Sequence, residues 1–350
     1  MNSPRALILF NSPTLPPDDP EYAAEQEIEM TVDAVEKALR EAGFLAPRLG
    51  VGTDPDVLIK GVRRQRPDVV VNLFEGLAED ARTEGYAVGI LEWLGVPYTG
   101  SPLTTLCLAQ RKPLAKHLFM NAGLPTPEFF VMDRAPIRKC PLEFPVIVKP
   151  AEGDASVGIE QASVAKNLKQ LNERADHIIR EYRQPALVEQ FIRGRELNVA
   201  LIETPELETL PISEILFIDE DPDFWPIITY KSKWDVGSRE DLATPPRYPA
   251  DVDTKLARQL QAIARKAYRL LGCRDYARVD FRVDADGQPY VLEVNPNPDF
   301  SPNAGLAKAL ATAGISFNQF CVDLVRHAMN RPDDPKTFDI TYSSSLASGR

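Results

Sequence analysis

The sequence predicts a mixed protein, α/β in its first part and α+β beyond, divided into more than one domain. Three observations carry this. Apolar runs alternate with stretches of helical periodicity from residue 6 to 94, as in a doubly wound domain with a largely parallel sheet. The run 278–295, RVDFRVDADGQPYVLEVN, reads instead as an antiparallel hairpin. The 350 residues also exceed one domain on the usual scale of about 100 to 200 residues each.

Residues 6–10, ALILF, form the first buried strand, and the apolar run stops too soon for a signal peptide. Ala24, Ile28, Val32, Val35, Leu39 and Ala42 recur at helical spacing up to Gly43. A strand near 44–49, a helix near 55–65, the strand DVVVNLF and a helix near 82–94 follow. The functional edge of such a sheet lies at the carboxyl ends of its strands, which places the acidic loops around Glu25 and Glu75 to Asp80 there. Helix caps or solvated acids are the competing reading of both loops.

A second domain begins near the helical stretch 102–122, which Pro113 interrupts. The strand FPVIVKP delivers Lys149 to a loop of small residues, Ala151 to Gly158, whose amides could hold phosphates or form an ordinary turn. A helix near 164–182, the strand ALVEQFI and the strand RELNVALIE come next. Glu189 and Glu196 bracket Gly194, positioned for a ribose or an adenine amine, or equally for Arg193 or Arg195. ITYKSKW supplies Lys231 and Lys233, and 253–271 reads as a helix. After the hairpin come helices near 303–313 and 316–329, and a polar tail, 331–350, expected to be disordered.

In the hairpin, Asp286-Gly287 is a strong turn signal, and with residue 285 paired to 288 the ladder sets Asp280 opposite Glu293 and Arg278 opposite Asn295. Opposed side chains share a face with Cβ atoms roughly 5 Å apart, so the two carboxylates need a cation between them. Two carboxylates and an amide oxygen are hard ligands suited to Mg2+ or Mn2+. A solvated hairpin face with surface charges is the bland alternative.

Composition narrows the function classes. With 44% hydrophobic and 26% charged residues, the chain has an ordinary globular balance, and no run approaches the roughly 18 apolar residues of a membrane span. A net charge of −11 speaks against nucleic acid or an anionic membrane as general partners, although a local basic groove remains open. Cys107, Cys140, Cys273 and Cys321 lack CxxC spacing, which fits a reducing cytoplasm. His117, His177 and His327 are scattered, so histidine-based metal or triad chemistry is not expected.

Lys112, Lys149, the small-residue loop, the two glutamates, Lys233 and the hairpin face together describe ATP bound between two lobes. The segments LEWLGVPYTGSPLTTLCLAQRKPLAKHLFMNAGLPTP, FPVIVKPAEGDASVGI, LVEQFIRGRELNVALI and DYARVDFRVDADGQPYVLEVNPNP resemble, in order, those of the ATP-grasp superfamily and within it the D-alanine-D-alanine ligase family. The likeness runs from roughly residue 24 to 329. It implies three α/β and α+β domains, here 1–104, 105–193 and 194–330, with ATP and Mg2+ or Mn2+ between the central and C-terminal ones. It makes Lys112, Lys149 and Lys233 phosphate lysines, places Ser156 in the loop over the phosphates, and makes Glu189, Gln190, Phe191 and Ile192 the adenine hinge. Glu196 becomes the ribose acid, Asp280, Glu293 and Asn295 the metal ligands, and Arg278 the support of an acylphosphate that an amine captures.

The substrate half departs from that family. Glu25 matches a glutamate that holds the first substrate's ammonium, but Glu75 stands where the family has histidine. Ala155 and Trp234 replace a serine and a tyrosine, Asp299 replaces a glycine, and Ala304 replaces a carboxylate-binding serine for which Ser301 or Asn303 could stand in. The expectation is a ligase of amino-acid-like or peptide-like small molecules other than two D-alanines. The alternatives are an authentic D-alanine-D-alanine ligase and a non-catalytic ATP-binding module. A homodimer is the common state among such relatives, and the oligomeric state stays open.

Overall fold

The structure is a computed structural model and describes residues 3–12, 22–77, 82–153 and 156–331, without the side chains of 22–27. The expectations for the Glu25 side chain, Glu79, Asp80, Ala155 and the tail from 332 onward therefore fall outside the described residues.

The first layer is a parallel sheet in the order β2-β1-β3, with β1 (Ala6–Asn11) between β2 (Arg48–Val51) and β3 (Val69–Leu73). Helices α1 (Tyr22–Glu41), α2 (Pro55–Gln65) and α3 (Arg82–Leu94) make the connections. Successive strand residues alternate between faces, so Ala6 and Ile8 pack toward α1 while Leu7 and Leu9 pack toward α2 and α3. The β2 strand begins later than the periodicity suggested, since Leu45 makes only an isolated bridge to Arg5. Helix α2 starts as its sequence dictates, with Asp54 accepting from the Asp56 amide at 2.9 Å and Pro55 at its first position.

Helices α4 (Leu103–Gln110) and α5 (Lys112–Asn121) break at Arg111, where Pro113 restarts the helix. They lead into an antiparallel sheet in the order β4-β7-β5-β6, built from β4 (Phe129–Met132), β5 (Val146–Pro150), β6 (Val164–Ala165) and β7 (Ala186–Gln190). Helix α6 (Leu168–Glu181) covers one face through Leu171, Ala175 and Ile178. It starts later than the expected 164, because Val164 and Ala165 pair with β5 and the Asn167 side chain caps the helix.

The third sheet runs β11-β10-β8-β12-β13, with β9 on the flank of β8. Its strands are β8 (Arg195–Glu203), β9 (Leu207–Thr209), β10 (Ser213–Ile215), β11 (Pro246–Arg247), β12 (Tyr276–Val283) and β13 (Pro289–Asn295), with short helices α7 (Tyr230–Trp234) and α8 (Arg239–Leu242) between β10 and β11. Helix α9 (Thr254–Leu271) seals one face by packing Leu260, Ala264, Tyr268 and Leu271 against Leu197, Val199, Val279 and Phe281. Truncating the fully buried Leu260 to alanine would cost about 2–5 kcal/mol. Helix α10 (Gly305–Thr312) follows, and α11 (Phe317–Asn330) returns to the first layer, where Phe320, Leu324 and Ala328 join the core of α1 and β3. Arg331, which composition placed at the start of the tail, donates from its guanidinium to Asp275.

The hairpin corrects the sequence reading in an instructive way. Val283 pairs with Pro289 and Phe281 with Val291, so the connection is one residue longer than the Asp286-Gly287 turn required. Gly287 takes φ 78°, which favours glycine, and its amide donates to the Asp284 carbonyl at 3.1 Å. A bulge then shifts the ladder between Phe281 and Asp280, leaving Asp280 opposite Glu293 and Arg278 opposite Asn295. The expected pairing at the site holds because two irregularities cancel.

Candidate active site

The uncovered faces of the second and third sheets enclose a cavity of about 470 Å³. Its floor is a grid set by strand register. On β8, Glu196, Asn198 and Ala200 face the same way, and they pair across the ladder with Arg282, Asp280 and Arg278 of β12. Its roof carries Ile147 and Lys149 of β5 with Glu189 of β7, and Gln190, Phe191 and Ile192 close the hinge side.

Charges on this grid are paired. The Arg278 guanidinium donates to both carboxylate oxygens of Asp280, at 2.7 and 2.8 Å, and Asn198 Nδ2 donates to the same carboxylate at 2.8 Å. Glu196 lies 3.1 Å from Arg282, which also donates to the carbonyls of Gly194 and Pro226 and lies over the ring of Phe217. Burial raises the Glu196 carboxyl above its ordinary value even though Arg282 pulls the other way. Gly194 allows the tight approach, since a Cβ there would sit 2.0 Å from the Val283 carbonyl oxygen.

Lys112 stands at the first turn of α5, 3.5 Å from Glu293, and donates to the Gly153 carbonyl at the start of the small-residue loop. Burial works to raise the Glu293 carboxyl, but Lys112, then Lys149, Lys233 and Arg278, outweigh it and hold the group down to about 2. Ser156 lines the cavity with φ 61°, a left-handed conformation costing a non-glycine residue about 1–2 kcal/mol. Lys233 reaches the cavity from α7, whose first turn is capped by Thr229 accepting from the Ser232 amide at 3.1 Å.

The cation expected between Asp280 and Glu293 is thus supplied in part by Arg278 and Lys112. Asp280 and Glu293 remain hard oxygen donors directly opposed on one face, a set that fits a divalent ion completing its shell with phosphate oxygens and water. Asn295 is less exposed to the cavity than expected. It does not line it, and its side-chain oxygen accepts from the Asn297 amide at 2.9 Å.

Of the substrate candidates, Asn303 lines the cavity, whereas Glu75, Trp234, Asp299 and Ser301 do not. Local bonding explains two of these. The Asp299 carboxylate accepts from the amide of Ser301 at 2.8 Å, and Ser301 itself is buried in the turn. Glu75 is exposed beyond β3, and Trp234 sits at the end of α7 with its ring 6.3 Å from that of Tyr230. Ala304 caps α10 without a side-chain hydrogen bond and borders the cavity beside Gly305 and Lys308.

Sequence reasoning passed over Lys116, Asn198, Tyr248, Arg282 and Lys308. Three of these carried a signal. Lys116 lies four residues after Lys112 on one helix face. Asn198 lies two after Glu196, and Arg282 two after Asp280, each on the same strand face.

The family model described as D-ala D-ala ligase C-terminus matches residues 118–326. The chain belongs to the D-alanine-D-alanine ligase family. Its relatives include an uncharacterized protein, y4sG, of Sinorhizobium fredii, 36% identical over 293 residues, covering 82% of this chain and 83% of that one. A D-alanine-D-alanine ligase of Bordetella avium is 32% identical over 311 residues, covering 87% and 92%. The fold is that of the Bacillus anthracis D-alanine-D-alanine ligase crystallised with ATP, with a TM-score of 0.71 at 21% identity over 93% of this chain and 97% of the other. The three sheets described above form the three-domain ATP-grasp fold of this family.

Proposed function

We propose that this member of the ligase family joins an amino-acid-like or peptide-like carboxylate to an amine, the pair being other than two D-alanines, and releases ADP and phosphate. One observation carries the reading. Lys112, Lys149, Glu189, Glu196, Lys233, Asp280 and Glu293 line one cavity, whereas Trp234 and Asp299, which by the resemblance above replace family residues, lie outside it, and Ala304, another such replacement, offers it only a methyl group.

Lys112, Lys149 and Lys233 neutralise the phosphates, and the hinge from Glu189 to Ile192 takes the adenine. Asp280 and Glu293, with Asn295 beside them, would hold Mg2+ or Mn2+, and the ion would neutralise charge on the phosphoryl group during transfer. Arg278, which donates to both oxygens of Asp280, would stabilise charge on the acylphosphate and on the tetrahedral adduct the amine forms. Glu25 is assigned to the substrate's ammonium. Free cysteines and the absence, among the described residues, of a helix long and apolar enough to cross a membrane are compatible with a cytoplasmic setting. A homodimer with twofold symmetry is the oligomer proposed.

The relatives named D-alanine-D-alanine ligase favour a second reading, in which this chain makes the same dipeptide. Incubation with ATP, Mg2+ and panels of amino acids and amines, read by phosphate release and product mass, separates the two. A product other than D-alanyl-D-alanine supports the first, and the dipeptide as main product supports the second. ATP binding with no turnover on any pair would point to a non-catalytic module.

A further inference from the structure

Lys116 is buried to 1% exposure beneath the cavity roof, where no family assignment above gives it a task. Its ammonium pairs with one oxygen of the equally buried Glu189, whose other oxygen lies 2.5 Å from Lys149 Nζ. The three charges form a line of lysine, glutamate and lysine. Strand register explains why. Ile147 pairs with Glu189, and Lys149 lies two residues along β5 on the same face, so Glu189 is its diagonal neighbour. Lys116 comes from a different element, the same face of α5 that carries Lys112 one turn earlier.

We infer that Lys116 is a positioning residue of the ATP site, holding Glu189 so that the charge of Lys149 is left to face the phosphates. The inference rests on the ATP reading of the cavity. A carboxylate buried with a single ammonium binds it tightly, because no water competes. Lys116 takes half of that carboxylate, so Lys149 is oriented by Glu189 without being neutralised by it. Burial pushes the Lys116 ammonium down to about 8 while Glu189 works to raise it, as expected for an ammonium kept in place by its partner.

A second contact extends the role across the cleft. Lys116 Nζ also donates to Thr126 Oγ1 at 2.7 Å, and that hydroxyl donates to the Val291 carbonyl of β13 at 2.8 Å. The Val291 amide in turn donates to the Pro125 carbonyl at 2.8 Å. Glu293 stands two residues further along that strand. Helix α5 therefore supplies one phosphate lysine, fixes the other, and ties both to the strand that bears a metal carboxylate.

The test compares ATP, ADP and AMP binding to the full chain with Mg2+, by calorimetry, for wild type and Lys116→Met. Wild type should bind ATP more tightly than AMP. In the variant, ATP and ADP affinity should fall about tenfold and AMP affinity by less than about twofold, the loss of one charge-assisted interaction acting through Lys149. Adding Glu189→Gln should shrink the effect of Lys116→Met, since the charge Lys116 offsets is then gone. Equal losses for AMP and ATP, or unchanged ATP affinity, would overturn the inference. Should Lys116→Met fail to fold, Thr126→Val removes the hydroxyl and keeps the lysine. A loss confined to ATP and ADP then supports the role, and its absence overturns it. Wild type that binds no ATP would instead refute the ATP reading before Lys116 is touched.

Discussion

Along the strands of the cleft, Glu189, Glu196, Asp280 and Glu293 each lie against a lysine or arginine, while in the turn beyond β13 Asp299 spends a side-chain oxygen on the Ser301 amide. The first arrangement is a set of fixed charges on strands, where register leaves each side chain little freedom. The second consists of turns and helix ends, which a few substitutions can reshape without disturbing the sheet. On the proposed reading, chemistry common to the family is held by the grid, and selection among substrates falls to the turns.

The comparison can be broken most severely at Glu293. Glu293→Ala should lower ATP-dependent phosphate release by about 10³-fold or more, because on the proposed reading it removes a metal ligand, and it also releases Lys112. Unchanged circular dichroism would show that the fold survives, and unchanged turnover would return the hairpin to a surface role. Lys149→Met should cost about 10²-fold in kcat/KM for ATP while leaving the choice of amine unaltered, as measured by competition between two amines. At the other end, Trp234→Tyr combined with Ala304→Ser should leave the KM for ATP within about twofold and raise D-alanine use by about tenfold. A change in ATP handling without a change in amine preference would contradict the division between the two ends.

The smallest effect expected is a pH dependence. The Lys116 pKa is lowered from 10.5 to about 8 in the folded chain, so between those values the unfolded chain holds the proton that the folded chain has lost. Stability from this group therefore rises with pH across that window, the reverse of a lysine whose pKa is raised. Relative to Lys116→Met, wild type should gain about 1–3 °C in Tm between pH 7.5 and pH 10. A constant difference between the two proteins would remove the titration.

Periodicity and caps made much of this legible. The β8 strand Arg195–Glu203, helix α2 and helix α9 lie within a residue of the ranges 195–203, 55–65 and 253–271 read from the sequence, because local bonding and burial agree there. The opposition of Asp280 and Glu293 was also legible, although a longer turn and a bulge stood behind it. What escaped was the partner of each site residue. Lys116 reads as one more helical lysine until α5 is set under β7, and Arg282 as one more strand residue until β8 brings Glu196 beside it. Nor does the sequence disclose that Asp299 turns onto Ser301, since that depends on the conformation of a single turn.

The central claim is that the nucleotide end is kept and the substrate end changed, and the most direct measurement is a ratio. It divides kcat/KM for D-alanine self-ligation by kcat/KM for the best carboxylate and amine pair, at saturating ATP and Mg2+. The account predicts a ratio well below one, about 0.1 or less on the scale of a changed binding contact. A ratio at or above one would show that the departures at Trp234, Asp299 and Ala304 leave the substrate unchanged, and would contradict the account.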